Sequence, residues 1–84
     1  MKKILYISAN WCVPCKAFKP IVAEVTQELG IPVEYIDIDA NPETAEKYGV
    51  RSIPTTILLN GMDVAFKTSG AMSKSQLKSS LISL

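Results

Sequence analysis

The spacing of apolar residues changes several times along this chain, and each change predicts an element. Ile4-Leu5-Tyr6-Ile7 is an unbroken apolar run, so Lys3 to Ser8 reads as a buried strand. Ser8-Ala9-Asn10-Trp11 is a short loop, and from Cys12 the spacing turns helical. Phe18, Val22, Val25 and Leu29 fall at i, i+4, i+7 and i+11, one buried stripe of a helix from about Cys12 to Leu29. Gly30 and then Pro32 are placed to end it. Pro20 has no N–H to offer the carbonyl of Lys16, which predicts a kink in one helix and not two helices.

Alternation returns at Val33 to Ile38, with Val33, Tyr35 and Asp37 on one face and Glu34, Ile36 and Ile38 on the other. Asn41 is placed to cap a short helix opened by Pro42, with Glu43 in its first turn and Gly49 at its end. Thr55 to Leu59 reads as a third strand, Asn60-Gly61 as a hairpin turn, and about Asp63 to Lys67 as the partner strand. Ser69-Gly70 is a turn. Ser73 to Gln76 matches a capping box, and Leu77, Leu81 and Leu84 supply the stripe of a last helix. The order β-α-β-α-β-β-α predicts an α/β fold, with one mixed four-stranded sheet and helices on both faces. The first two strands, joined by a helical crossover, should be parallel and right-handed, and the last two an antiparallel hairpin. No repeat, linker or low-complexity segment divides residues 1–84, which are expected to form a single domain.

Size and charge narrow the functional classes. A chain of 84 residues buries roughly 60–70% of its unfolded surface, enough for one core. Nine Lys and Arg against eight Asp and Glu leave a net charge of +1, without a basic stripe. Nucleic acid and acidic membranes are therefore not expected as partners. The apolar runs are far short of a membrane span, and the run after Lys2-Lys3 is too short for a signal-peptide core. A cytoplasmic, reducing compartment is the default expectation, and a monomer the expected state.

The chemistry lies in Trp11-Cys12-Val13-Pro14-Cys15-Lys16, which holds the only two cysteines. The two thiols sit one helical turn apart on one face, so they can open and close as a disulfide with little motion of the chain. As a structural staple the pair is poor, because so small a loop contributes only about 2 kcal/mol of chain entropy. The bland alternative is two small apolar residues that happen to be cysteines. A C-x-x-C pair beside a βαβ pattern is a redox signature, and the functional reading is the one adopted. At a helix start the Cys12 sulfur meets backbone N–H groups and the positive end of the helix dipole, with Lys16 nearby, so Cys12 is the expected nucleophile. Lowering a thiol pKa from about 8.5 to about 7 raises the thiolate fraction roughly 16-fold and costs about 5-fold in nucleophilicity. The larger gain is Cys15 waiting beside any mixed disulfide formed on Cys12.

The motif resembles the active site of the thioredoxin family. Asp39-x-Asn41-Pro42, Tyr48-Gly49-Val50-Arg51-Ser52-Ile53-Pro54-Thr55, Asn60-Gly61 and Gly70-Ala71-Met72-Ser73-Lys74-x-Gln76-Leu77 extend the likeness over nearly the whole chain. The resemblance implies a thioredoxin-like fold and dithiol–disulfide exchange with client proteins. It implies no cofactor beyond the redox-active Cys12–Cys15 disulfide itself, and a thioredoxin reductase or glutathione as electron donor. It also implies a cis Ile53-Pro54 bond, with Pro54 beside the disulfide and Ile53 offering its backbone to a client as an added strand. Trp11, Val13 and Pro14 would contact clients around the sulfurs, and Gly70, Ala71 and Met72 would complete an apolar rim. A turn followed by a helix staple is the plainer reading of those last three.

Three departures mark this chain within that likeness. The strand and helix with which thioredoxins begin are absent, giving the minimal size of glutaredoxins and small archaeal thioredoxin-like proteins. Val13 stands where the family usually has Gly, which stiffens the loop and adds apolar surface beside the reactive sulfur. Tyr6 and Tyr35 stand where the family has a buried Asp and a Lys. The proton of Cys15 is then expected to go to water, or to Asp37 if it lies close. Tyr6 and Tyr35 read as core or half-buried strand residues without a catalytic role.

Three other functions compete. A glutaredoxin-like, glutathione-recharged oxidoreductase fits the size, but no basic cluster or Gly-Gly-Asp turn for glutathione is present. Zinc needs four ligands, and two cysteines without histidine could supply them only in a dimer, so no metal is expected. A scaffold subunit with incidental thiols would keep its activity in Cys12→Ser.

Overall fold

A computed structural model describes residues 1–83 of the chain. The elements are β1 (Lys2–Ser8), α1 (Val13–Leu29), β2 (Val33–Asp37), α2 (Pro42–Lys47), β3 (Thr55–Asn60), β4 (Asp63–Ser69) and α3 (Lys74–Ile82). The sheet order is β2-β1-β3-β4, with β1 parallel to β2 and the β1–β3 and β3–β4 pairs antiparallel. This is the predicted mixed four-stranded sheet in the predicted element order.

The unbroken apolar run of β1 follows from its central place in the sheet. Ile4 and Tyr6 face one side, where they join Leu58 of β3, Phe18, Val22 and Val25 of α1, and Leu77 and Leu81 of α3. Leu5 and Ile7 face the other side with Ile36, Ile57 and Leu59, covered in part by Ala45 of α2 and by Tyr48. Each such side chain, once fully buried, contributes about 1.5–3 kcal/mol of transfer free energy. The two faces together clamp β1, which carries the start of the active-site loop.

Several boundaries differ from expectation. Cys12 is the N-cap of α1 and lies just outside the first turn, because its φ and ψ of −87° and 105° are extended. The helix passes Pro20 as one element. It ends in a Schellman arrangement: Gly30, at φ +68°, and Ile31 return their N–H groups to Gln27 and Thr26. Leu29 is only half-buried. Ile38 falls just beyond β2, yet its side chain still packs inward. Asn41 sits at the N-cap of α2 without a side-chain capping bond. There the Asp37 carbonyl accepts the N–H groups of Ala40 and Asn41, so the preceding turn already holds the chain. The tight turn of the hairpin is Gly61-Met62, with Asn60 paired to Asp63, and β4 runs on to Ser69. The capping box of α3 is complete, since Gln76 N–H donates to Ser73 Oγ and Ser73 N–H donates to Gln76 Oε1. Leu84, expected in that helix's stripe, lies outside the described residues.

Candidate active site

The site is built where β1 runs out. Ala9 closes a turn by accepting the Cys12 N–H at 3.1 Å, which sets Cys12 at the mouth of α1. Pro14 in the first turn of α1 costs nothing there, because that N–H would have no helical partner. The first turn is instead tied to Cys12 twice. Cys15 N–H donates to Cys12 Sγ at 3.2 Å, and Lys16 N–H donates to the Cys12 carbonyl at 3.2 Å. Cys12 and Cys15 are joined as a disulfide, with Cα atoms 5.2 Å apart.

Both sulfurs are sheltered. Cys12 is 6% exposed and Cys15 2%, and they pack with Ala9, Ile38 and Ile53. Around them the surface is apolar and open: Trp11 is 64% exposed and Val13 73%. A cavity of about 320 Å³ lies beside Trp11, walled by Ile38, Ala45, Val50 and Ile53. The Ile53–Pro54 peptide bond is cis, and the Pro54 carbonyl accepts the Gly70 N–H at 2.8 Å. That bond brings the Gly70 turn to the proline loop. Pro54 itself is buried, so Ile53 is what this loop presents. Ala71 and Met72 line a separate groove along α3 with Ser75, Gln76, Ser79 and Ser80. The structure thus gathers Cys12, Cys15 and Ile53 into one cluster and Trp11 and Ile53 around one cavity, and sets Ala71 to the side.

Sequence reasoning passed over two contacts. The Trp11 indole Nε1–H donates to Asp39 Oδ2 at 2.9 Å, which fixes the exposed ring. Asp39 is itself placed by its N–H, which donates to Asp37 Oδ1 at 2.9 Å. Asp37 therefore serves the loop that holds the tryptophan. The second contact is from Tyr6, whose hydroxyl donates to the Cys15 carbonyl at 2.7 Å. Burial pushes the Tyr6 phenol up to about 12, with Tyr35 adding to the rise. No motif spacing reports either bond, because each joins elements that are distant along the chain. Among the described residues, no three of His, Cys, Asp or Glu are grouped as metal ligands, and no helix is long and apolar enough to cross a membrane.

A disulfide at a helix N-terminus, sheltered below an open apolar rim on this fold, defines a dithiol–disulfide oxidoreductase. The chain belongs to the thioredoxin family, whose model, described as Thioredoxin, matches residues 2–83. Over 72 residues the chain is 43% identical to a thioredoxin of Buchnera aphidicola from Acyrthosiphon pisum, covering 83% of this chain and 67% of the relative. It is also 43% identical to the thioredoxin of Bacillus subtilis strain 168, covering 83% and 69%. Among solved structures, a point-mutant thioredoxin from Halobacterium salinarum NRC-1 superposes with a TM-score of 0.91 at 29% identity, covering 98% of this chain and 73% of that one. A malaria-parasite thioredoxin-2 superposes at 0.92 with 26% identity, covering 100% and 84%. The chain is a protein-disulfide reductase of this family, and the glutaredoxin-like alternative is not favoured.

Proposed function

We propose that Cys12 is the attacking thiol and Cys15 the resolving thiol in the reduction of client disulfides. The Cys12 thiolate attacks one sulfur of the client disulfide. A Cys12–client disulfide forms and the other client sulfur leaves as thiolate. Cys15 then gives up its proton to solvent and attacks the Cys12 sulfur. The Cys12–Cys15 disulfide closes, the second client thiolate leaves, and both client thiolates take protons from water. Two electrons pass to the client, and the protein is left oxidised.

The observation that carries this assignment is the Cys15 N–H aimed at Cys12 Sγ. A backbone donor at a helix N-terminus favours negative charge on that sulfur, and among the described residues no equivalent donor serves the sulfur of Cys15. Trp11, Val13, Pro14, Ile53 and Pro54 form the client-facing surround, Pro54 by shaping the backbone that Ile53 presents. Gly70 and Ala71 extend it toward α3. A thioredoxin reductase returns the electrons, with glutathione as the second candidate donor. The protein works as a monomer in the cytoplasm, on client proteins and without a further cofactor.

Trapping tests the order of attack. Cys15→Ser should accumulate a mixed disulfide between Cys12 and a client such as insulin, and Cys12→Ser should accumulate none. Either change should lower multi-turnover reduction at least about a hundredfold, the scale of a lost intramolecular partner. A mixed disulfide on Cys15 in Cys12→Ser would reverse the roles. Parallel turnover with a thioredoxin reductase and with glutathione identifies the donor.

A further inference from the structure

We propose that Tyr6 is a positioning residue for the exchange reaction, its hydroxyl holding the first turn of α1 in the shape that aims two backbone N–H groups at Cys12. The inference rests on Cys12 being the attacking thiol. Tyr6 is wholly buried, and its hydroxyl donates to the Cys15 carbonyl at 2.7 Å. The peptide unit that owns this carbonyl owns the Lys16 N–H as well, which donates to the Cys12 carbonyl at 3.2 Å. The peptide unit before it presents the Cys15 N–H to Cys12 Sγ, also at 3.2 Å. Tyr6 therefore grips one end of a peptide whose other end holds the Cys12 backbone, and Cys15, the residue it grips, is the one whose N–H meets the Cys12 sulfur. Hydrogen bonds in such a chain polarise one another by about 10–30% each.

The phenol is well anchored for this work. It stands on the central strand, paired with Tyr35 on β2 and Thr56 on β3. Its ring packs against Phe18 and Tyr35, with centroids 6.0 Å apart in each case. Being held well above neutrality, it stays protonated and acts as a donor throughout the working range. It is therefore not the base that receives the proton of Cys15. The titratable groups around it are Cys15 itself and Tyr35, over whose ring Lys19 Nζ sits at 4.9 Å. Asp37 and Asp39 have their carboxylates on the neighbouring loop, bonded to the Asp39 N–H and the Trp11 indole.

Thr56 supplies a control that the fold has already built. It lies directly across from Tyr6 on β3 and is equally buried, but its Oγ1 has no hydrogen-bond partner among the described residues. Two buried hydroxyl-bearing residues thus face each other on paired strands, one bonded to the active-site turn and one without a partner among the described residues.

The test is the pH profile of Cys12 alkylation by iodoacetamide in the reduced protein. Three variants are compared with the unaltered chain: Tyr6→Phe, Thr56→Val, and 3-fluorotyrosine placed at Tyr6. Tyr6→Phe should move the midpoint upward by about 0.3 unit, about a twofold loss of rate at neutral pH. The fluorinated phenol is a stronger donor of the same shape and should move it downward. Thr56→Val should leave it in place. An unchanged midpoint in both Tyr6 variants would overturn the proposal, as would an equal shift in Thr56→Val. If Tyr6→Phe does not fold, the fluorinated protein alone decides by the direction of its shift. Should the unaltered Cys12 ionise no more readily than free cysteine, the assignment of the nucleophile fails first, and that outcome is visible before any variant is measured.

Discussion

The N-termini of α1 and α3 use the same capping geometry for different ends. In each, the residue before the helix is extended and its side chain accepts the backbone N–H three residues on, at 3.2 Å. At α3 the acceptor is the hydroxyl of Ser73, and Gln76 returns the favour to the Ser73 N–H. At α1 the acceptor is the sulfur of Cys12, and the residue three on is Cys15, its disulfide partner. The capping slot that stabilises one helix therefore becomes, with sulfur in it, a place where negative charge is welcome and a second thiol is in reach. The start of α2 completes the series, with Asn41 in the slot and no side-chain bond made.

Moving sulfur from one cap to the other should break the comparison most sharply. With Cys12 and Cys15 both changed to Ser, Ser73→Cys places a lone thiol at the mouth of α3. It should alkylate faster than free cysteine, because the helix N-terminus is retained. Its multi-turnover disulfide reduction should stay at least about a hundredfold below that of the unaltered site, because no resolving thiol stands three residues on. Comparable turnover at α3 would mean that capping alone makes the site.

Removing the caps tests their structural side. Ser73→Ala should cost about 1 kcal/mol in urea unfolding. Asn41→Ala should cost less than about 0.5 kcal/mol, since it removes no capping bond. Insulin reduction should be unaffected by either change. Equal losses at the two positions would show that side-chain capping is not what distinguishes them.

The smallest effect belongs to the ion pairs that dock α3 onto α1. Lys74 lies 2.7 Å from Glu24 and 3.2 Å from Glu28. Its hydrogen bonds to Glu24 and Glu28 hold its pKa above the ordinary lysine value. The Lys74 hydrogen bond, with lesser help from Lys78, holds Glu28 below the ordinary carboxylate value. The Glu28 contribution is therefore present above the ordinary carboxylate value and is lost as pH falls through the lowered one. The Lys74 contribution is present below the ordinary lysine value and is lost as pH rises through the raised one. Because these groups are exposed, Lys74→Met should remove only a slight, salt-sensitive part of the stability between those limits. A change that does not respond to salt would point to packing by the lysine stem instead.

The elements were legible wherever burial imposed a period. Phe18, Val22 and Val25 had to share a stripe, and Ile4 to Ile7 had to be central, because both faces of β1 are covered. The strand continues through Thr68 and Ser69 of β4, an edge strand, where Phe66 and Thr68 are only half-buried and the apolar residues that would mark an inner face run out. The cysteines were legible because their chemistry is local, one turn of one helix. Asp39 beneath the indole and Tyr6 beneath the Cys15 carbonyl were not, because each contact joins two elements. Nothing in a hydrophobic pattern records where a polar tip ends. Asn41 was misjudged for a related reason: the capping residue type was right, but the Asp37 turn had already organised that corner.

Trp11 is the chain's single tryptophan, and its indole is pinned to Asp39 one residue before the disulfide. Tryptophan emission, excited at wavelengths the three tyrosines do not absorb, therefore arises at one address, next to the bond that opens and closes. Opening the disulfide should change that emission, which would let turnover be followed with no label added.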